Sequence, residues 1–338
     1  MDSMPSGSRT VTVVGAGLIG ATISWRLAQA GLKVTLVDAG AFGGETSSAG
    51  AGMLSPGGEF DQPPGAHSES QRCAPFNSVW SDLGVESMSL YPGFVAELRA
   101  RTNVPIDFQI CGCTKLPEGP GQPRHYPGDG FVDPNHLLRA LRLVCLEYGV
   151  NILENQPISK LDSTDLGALV IAAGAWSNQL QITHRGRAIA LPPVKPIKGH
   201  LIGFDLDPAA FDAQRLGPMF RRGHTYLLQR SGGFTIAGST EEDVGFNRSV
   251  DPSICADLHR RAAGLWPVLE TIAPSRRWIG FRPYAETPRI GRLIDTSVGG
   301  TNVWLAYGHF RNGILLAPVT AQRIANDIAA ALGKPLYL

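Results

Sequence analysis

Gly15, Gly17 and Gly20 stand at G-x-G-x-x-G spacing, directly after the apolar run of Val11, Val13 and Val14. Each glycine would answer a separate demand of a bound pyrophosphate. Gly15 permits a tight turn, Gly17 lets backbone amides approach the anion, and Gly20 lets the following helix pack closely on the strand. Asp38 closes the next strand-like run, KVTLVD, just ahead of Ala39. Its carboxylate can accept hydrogen bonds from a ribose diol. The chemistry is dinucleotide binding, and the motif alone leaves NAD and FAD both open. Far downstream, YGHFRNGILLAP (Tyr307–Pro318) sets His309 and Arg311 between Gly308 and Gly313, ahead of a long apolar run. A helix start wants a Ser or Asp cap and has no need of an arginine. Arg311 therefore asks for a functional partner.

The elements that must position these residues follow from periodicity. Ile19, Ile23 and Leu27 recur every four residues and predict a helix that Gly31 ends. AFGGETSSAGAGMLSP (Ala41–Pro56) shows no crossover-helix pattern. Its small residues would let backbone amides lie against a flat ring system, with a flexible surface loop as the competing reading. FVDPNHLLRALRLVCLEYGV predicts a helix capped by Asp133, with Pro134 at its first position and Leu137, Leu141, Cys145 and Tyr148 on one face. LGALVIAAGAWSNQL reads as a buried strand running into Gly174. Between 194 and 240, short strands separated by turn residues predict an antiparallel sheet. A second Asp-Pro pair, Asp251 and Pro252, predicts another helix start. A last strand, Val303–Tyr307, should lead through the turn into a helix from near Asn312 or Gly313 to about Leu332. The order is α/β, then mixed, then α/β again. That predicts two interleaved domains with a small-molecule site in the crevice between them.

The chain has 338 residues, room for one large domain or two interleaved ones, and a 43% hydrophobic fraction suits a sizeable core. Its 30 basic and 29 acidic residues are dispersed, which argues against a nucleic-acid partner. Val11–Ile23 is too short and too Gly-rich to span a bilayer, and no export signal is evident, so no membrane association and a cytoplasmic location are expected. Five cysteines, with Cys111 and Cys113 the only close pair, read as reduced thiols. Eight histidines without H-E-x-x-H or Cys-x-x-Cys spacing give no reason to expect a metal site.

Three segments taken together resemble the D-amino acid oxidase superfamily, most closely its glycine oxidase (ThiO-like) branch. They are SSAGAGMLSP (Ser47–Pro56), WIGFRPYAETPRIG (Trp278–Gly291) and GHFRNGILLAPVTA (Gly308–Ala321), with GHTYLLQR (Gly223–Arg230) in order between them. The resemblance implies a Rossmann-like FAD-binding domain (9–57, 131–182 and 283–338) interleaved with an antiparallel-sheet substrate domain (58–130 and 183–282). It implies FAD held noncovalently, since no Cys lies near GFRP and no His near TSS. At the cofactor it places Gly15, Gly17, Leu18, Ile19, Gly20, Asp38 and Ala39, then Thr46, Ser47, Ser48, Ala51, Gly52 and Met53. Ala173, Gly174 and Trp176 follow, and lastly Gly308, His309, Phe310, Arg311, Asn312, Gly313 and Ile314. Arg282 corresponds to the carboxylate clamp, Tyr226 to a substrate-binding hydroxyl, His224 to the pocket wall, and Arg311 to a second positive group at the flavin–substrate boundary.

The implied reaction oxidises glycine, another small primary or secondary amine, or a D-amino acid to its imine, with O2 reduced to hydrogen peroxide. The imine could supply iminoacetate for the thiazole of thiamine. Hydride transfer to the flavin needs alignment more than a protein acid or base. A dehydrogenase passing electrons to a quinone or carrier, and a non-catalytic flavin-binding relative, remain open at this point. A tetramer is the oligomer the resemblance suggests. Two departures stand out: the stretches near 110–130 and 158–168 look short for the branch, and RPYAETPRIGRL replaces a Gly-rich continuation.

Overall fold

The computed structural model describes residues 10–60, 78–164, 166–206, 215–294 and 300–333. Val11, Val13 and Val14 build the central strand Thr10–Val14, which pairs in parallel with Lys33–Val37 on one side and Ala168–Ile171 on the other. Asn151–Leu153 continues the parallel set beyond Lys33–Val37, and Val303–His309 continues it beyond Ala168–Ile171. Strands covered on both faces read as unbroken apolar runs, as ALVI does here with all four residues buried. Helices Leu18–Gln29, Pro134–Glu147 and Ala317–Ala331 share one apolar core with these strands. Gly31 takes φ +76°, the left-handed conformation that ends the first helix at low steric cost.

The antiparallel part begins at the long strand Arg276–Arg292. Its first half pairs with Lys195–Phe204, and its second half pairs with Val303–His309 of the parallel set. The register shifts between Tyr284 and Arg289, within the stretch where a Gly-rich continuation is missing. Thr235–Gly238, Thr225–Gln229, Met219–Arg222, Cys113–Leu116 and Arg124–Tyr126 complete one twelve-stranded sheet. The parallel and antiparallel halves are therefore continuous, and the expected boundary at 282/283 falls inside the strand that joins them.

Both Asp-Pro helix starts form as the sequence predicts. Asp133 accepts hydrogen bonds from the Asn135 and His136 amides, and Asp251 from those of Ser253 and Ile254. The last helix departs from expectation. Residues Phe310–Asn312 form a single 3-10 turn, and the helix runs Ala317–Ala331, so it starts at Ala317 and not near Asn312. Pro318 gives the reason. In a helix beginning at Asn312 its ring would clash with the Ile314 carbonyl and leave that group unpaired, whereas in a first turn its missing N–H costs nothing.

A 25-residue helix, Ser78–Thr102, has no counterpart in the sequence reading. Gly84, Pro92 and Gly93 interrupt its pattern, yet it buries Trp80, Tyr91 and Phe94. It also braces the segment ahead of the last helix: the Tyr91 hydroxyl donates to the Ile314 carbonyl at 2.5 Å, and Ser87 donates to Leu315 at 2.6 Å. Cys111, Cys113, Cys145 and Cys255 are free thiols, and Cys73 lies outside the described residues.

The Asp133 cap also lies 3.6 Å from the guanidinium of Arg230, which is buried and donates to the Val132 and Ala51 carbonyls. Asp133→Asn should keep most of the cap and lose only the ion pair, while Asp133→Ala should lose both. Urea midpoints at unchanged m are expected to place Asp133→Ala about 1–2 kcal/mol below the parent, with Asp133→Asn between them.

Candidate functional site

A cavity of about 490 Å3 runs along the seam between the two halves of the sheet. At one end it is lined by Gly15, Gly17, Leu18, Ile19, Asp38 and Ala39. Gly15 has φ +109°, and a Cβ there would overlap the Ala172 carbonyl. Gly20 does not line the cavity. A Cβ on it would overlap the Gly15 carbonyl, so its part is the close approach of helix to strand. Asp38 holds the turn from below: one carboxylate oxygen accepts from the Ala16 amide at 2.6 Å and the other from Gly40 at 2.8 Å. The Ser47 hydroxyl accepts from the Leu18 amide at 2.9 Å.

The middle of the cavity is lined by Thr46, Ser47, Ala51, Gly52 and Met53, facing Ala173, Gly174 and Trp176. His309, Phe310, Arg311, Asn312, Gly313 and Ile314 close it from the C-terminal turn. Two expected cofactor residues lie elsewhere. Ser48 faces a second, shallower pocket and donates to the Glu45 carbonyl. Gly308 serves the turn at φ +80°, where a Cβ would press on Ala285 at 2.9 Å, and it does not line the cavity.

This lining fits an extended dinucleotide carrying a flat ring. The glycine turn and helix N-terminus suit a pyrophosphate, and Asp38 suits a ribose. The side-chain amide nitrogen of Asn312 is buried, has no hydrogen-bond partner and belongs to a residue lining the ring-sized middle. It is a donor with nothing in the protein to receive it. His309 lies behind the same turn, paired with Thr320 at 3.0 Å, and burial lowers its pKa to about 4, so the ring is neutral at pH 7. With the helix starting at Ala317, its positive end stands several residues away from the turn that faces the cavity.

Charge gathers at the far end. Arg282 lines the cavity, with one terminal nitrogen donating to the Thr240 carbonyl at 2.9 Å and the other to the Ser239 hydroxyl at 2.6 Å. No carboxylate among the described residues lies within ion-pairing distance of it. Tyr226 also lines the cavity, its hydroxyl resting over Gly238, and burial raises its pKa, so the phenol keeps its proton. His224 sits on the turn before Tyr226, off the cavity and one third exposed. Its Nδ1 is 3.9 Å from Glu241, and burial lowers its pKa.

Arg311 does line the cavity but is already occupied. It donates to Glu241 at 2.7 Å, and its Nε stands 3.0 Å from Glu59, which also pairs with Arg221. The positive charge expected there for a substrate or reduced ring is matched by these acids. Burial pushes the Glu59 carboxyl up, but Arg221 and Arg311 outweigh it and bring the pKa down to about 2.

Glu59, Arg221, Ser239, Glu241 and Gly199 are site residues that the sequence reading missed. Glu59 had a signal, being the first charged residue after Glu45 across an otherwise small and apolar stretch. The others come from strands and the turn after Gly238 that only the sheet brings together.

The chain matches the FAD dependent oxidoreductase (DAO) family over residues 10–124 and 124–326. It belongs to that family, and FAD is its cofactor. Within the family it is similar to glycine oxidases. That of Geobacillus kaustophilus is 28% identical, with 94% of this chain and 92% of that protein covered. The glycine oxidase of Pseudomonas aeruginosa is 29% identical, with 94% of each covered. The crystal structure of the Geobacillus enzyme superposes with a TM-score of 0.81 at 26% identity, covering 97% of this chain and 95% of that one. A bifunctional ThiO/ThiG protein of Synechocystis is 29% identical over 96% of this chain, which spans about half of its length (52%).

Gly199 lies directly under Arg282, where a Cβ would occupy the guanidinium's place. Gly199→Ala should therefore displace the arginine and weaken binding of acetate, followed through the flavin absorbance, by about tenfold or more. Gly232→Ala, where a Cβ meets nothing, is the matched control and should bind acetate as the parent does.

Proposed function

We propose that the protein oxidises a small amine carrying one carboxylate, with glycine foremost, to its imine while O2 becomes hydrogen peroxide. The observation that carries this reading is Arg282, a cavity-lining guanidinium whose own partners are a carbonyl and a hydroxyl and not an acid. A planar fork with its charge uncommitted matches a carboxylate bidentately. FAD, when bound, accepts the hydride from the substrate Cα and passes the electrons to O2.

The protein's part is placement. Arg282 takes the carboxylate, and Ser239 and Thr240 hold the fork in the plane that receives it. The protonated Tyr226 hydroxyl lines the same cavity as Arg282 and can donate to that carboxylate. Asn312 offers its free amide to the ring edge, and Gly313 allows the backbone to lie close by. Aligned reactants need no further acid or base, and none of the titratable side chains lining this end is arranged as one. The parallel half of the sheet acts as the cofactor domain and the antiparallel half as the substrate domain, with Arg276–Arg292 belonging to both. FAD is held noncovalently. The names glycine oxidase and ThiO/ThiG among the relatives favour glycine as substrate and iminoacetate, for the thiamine thiazole, as product. Among the described residues no helix is long and apolar enough to cross a membrane. A cytoplasmic location and a homotetramer accompany this reading.

Anaerobic glycine should bleach the flavin, and readmitted O2 should restore it with one peroxide formed per glycine consumed. Bleaching without peroxide would identify a dehydrogenase. Arg282→Ala should raise the KM for glycine by about a hundredfold or more, and Arg282→Lys should recover only part of that loss. An unchanged KM would remove Arg282 from the clamp.

A further inference from the structure

We propose that Glu59 restricts this site to amines bearing a single acid group, by holding the two guanidiniums that would otherwise receive a second one. The inference rests on the reading of Arg282 as the carboxylate clamp. Glu59 lies on the short helix Pro56–Phe60, where Asp129 accepts from the Gly57 and Gly58 amides, each at 3.0 Å, and so pins the backbone. The Glu59 side chain is 7% exposed and lines the cavity. One of its oxygens pairs with Arg221 Nη1 and the other stands 3.0 Å from Arg311 Nε.

The guanidiniums around this end of the cavity differ in the acids they meet. Arg221, Arg282 and Arg311 face Glu59 and Glu241. Lys115 and Asp129 flank the group with opposite charges, and His224, its pKa lowered by burial, adds none at neutral pH. Glu118, beside Gly223 and His224, lies off the cavity, and of the three guanidiniums Arg282 is the one with no carboxylate within ion-pairing distance among the described residues. A substrate with one carboxylate completes the set. A second carboxylate would approach a wall where Glu59 is already ionised and where Arg221 and Arg311 are taken. Such a ligand is repelled by a like charge and finds no free donor.

Glu59 thus stands in for the second acid group of a larger ligand. Without its charge, Arg221 has no other carboxylate within ion-pairing distance among the described residues, and Arg311 keeps only Glu241. Arg311 lining the cavity, with Arg221 on the far side of the Glu59 carboxyl, forms an anion receptor once that charge is gone. Glu59→Gln is isosteric and exchanges the wall from rejecting to accepting a second acid. Glu59 acts through these arginines and is a specificity-determining residue that need not touch the substrate.

The test uses FAD-loaded protein and two inert anions of different charge, acetate and malonate, with binding followed by the flavin absorbance. The parent should bind malonate no better than acetate. Glu59→Gln should shift the malonate-to-acetate preference by about tenfold or more towards malonate, and high salt should diminish the shift. Turnover should follow the same direction. Relative to N-ethylglycine, a counterpart with a single carboxylate, iminodiacetate should gain in kcat/KM through a lower KM. Equal preferences in parent and variant would overturn the inference, as would a parent that already favours malonate tenfold. Should Glu59→Gln fail to fold or to retain flavin, Glu59→Ser removes the same charge, and the absence of any shift there overturns it equally. Anion binding is read without turnover. If no amine reduces the flavin, the proposed activity fails while the selectivity of the wall is still decided.

Discussion

A guanidinium placed in a cavity with no acid of its own is the constraint around which this site is organised. Arg282 keeps its charge, because burial cannot deprotonate an arginine, and water has limited access to it. Its forks are held by a carbonyl and a hydroxyl, which orient the group without neutralising it. Every other strong charge nearby has a partner. Glu59 and Glu241 take Arg311, and Glu59 takes Arg221 as well. The unmatched guanidinium is thus confined to one position at this end of the cavity, away from the glycine turn that suits a pyrophosphate.

That position is delivered by one strand. Arg276–Arg292 pairs with the antiparallel half over its first residues and with the parallel half over its last, with a register shift in between. Arg282 sits just before the shift, and the partner strand Val303–His309 runs straight into the turn carrying Arg311 and Asn312. Arg282 and the turn carrying Asn312 are therefore tied to one pair of hydrogen-bonded strands. The long helix Ser78–Thr102, through Ser87 and Tyr91, braces the backbone beyond that turn. A site whose spacing must be held to a fraction of an ångström gains from being built on strands in place of free loops.

Much of this was legible before any coordinates. The glycine turn and its helix, the two Asp-Pro caps, the antiparallel run after 194 and the final strand all formed close to where local chemistry put them. Two features resisted for physical reasons. The last helix starts at Ala317 because Pro318 tolerates only a first turn, and a turn of mixed residues hid that start. Helix Ser78–Thr102 carries Gly and Pro in its interior, so its stability comes from burying Trp80, Tyr91 and Phe94 and not from its own propensity. The charge network had the weakest signal, since ion pairs between positions such as 59, 221, 241 and 311 have no sequence period at all.

The sequence by itself determined the cofactor end, because a pyrophosphate is met by backbone amides whose spacing is set within a few residues. It also named Arg282, through the motif around it. Which of Arg282 and Arg311 is paired with acids was decided only by the tertiary structure. Two arginines look alike in a sequence, and which of them is left with a free charge depends on which acids the fold brings within about 3 Å, where Coulomb attraction and hydrogen bonding commit one and spare the other.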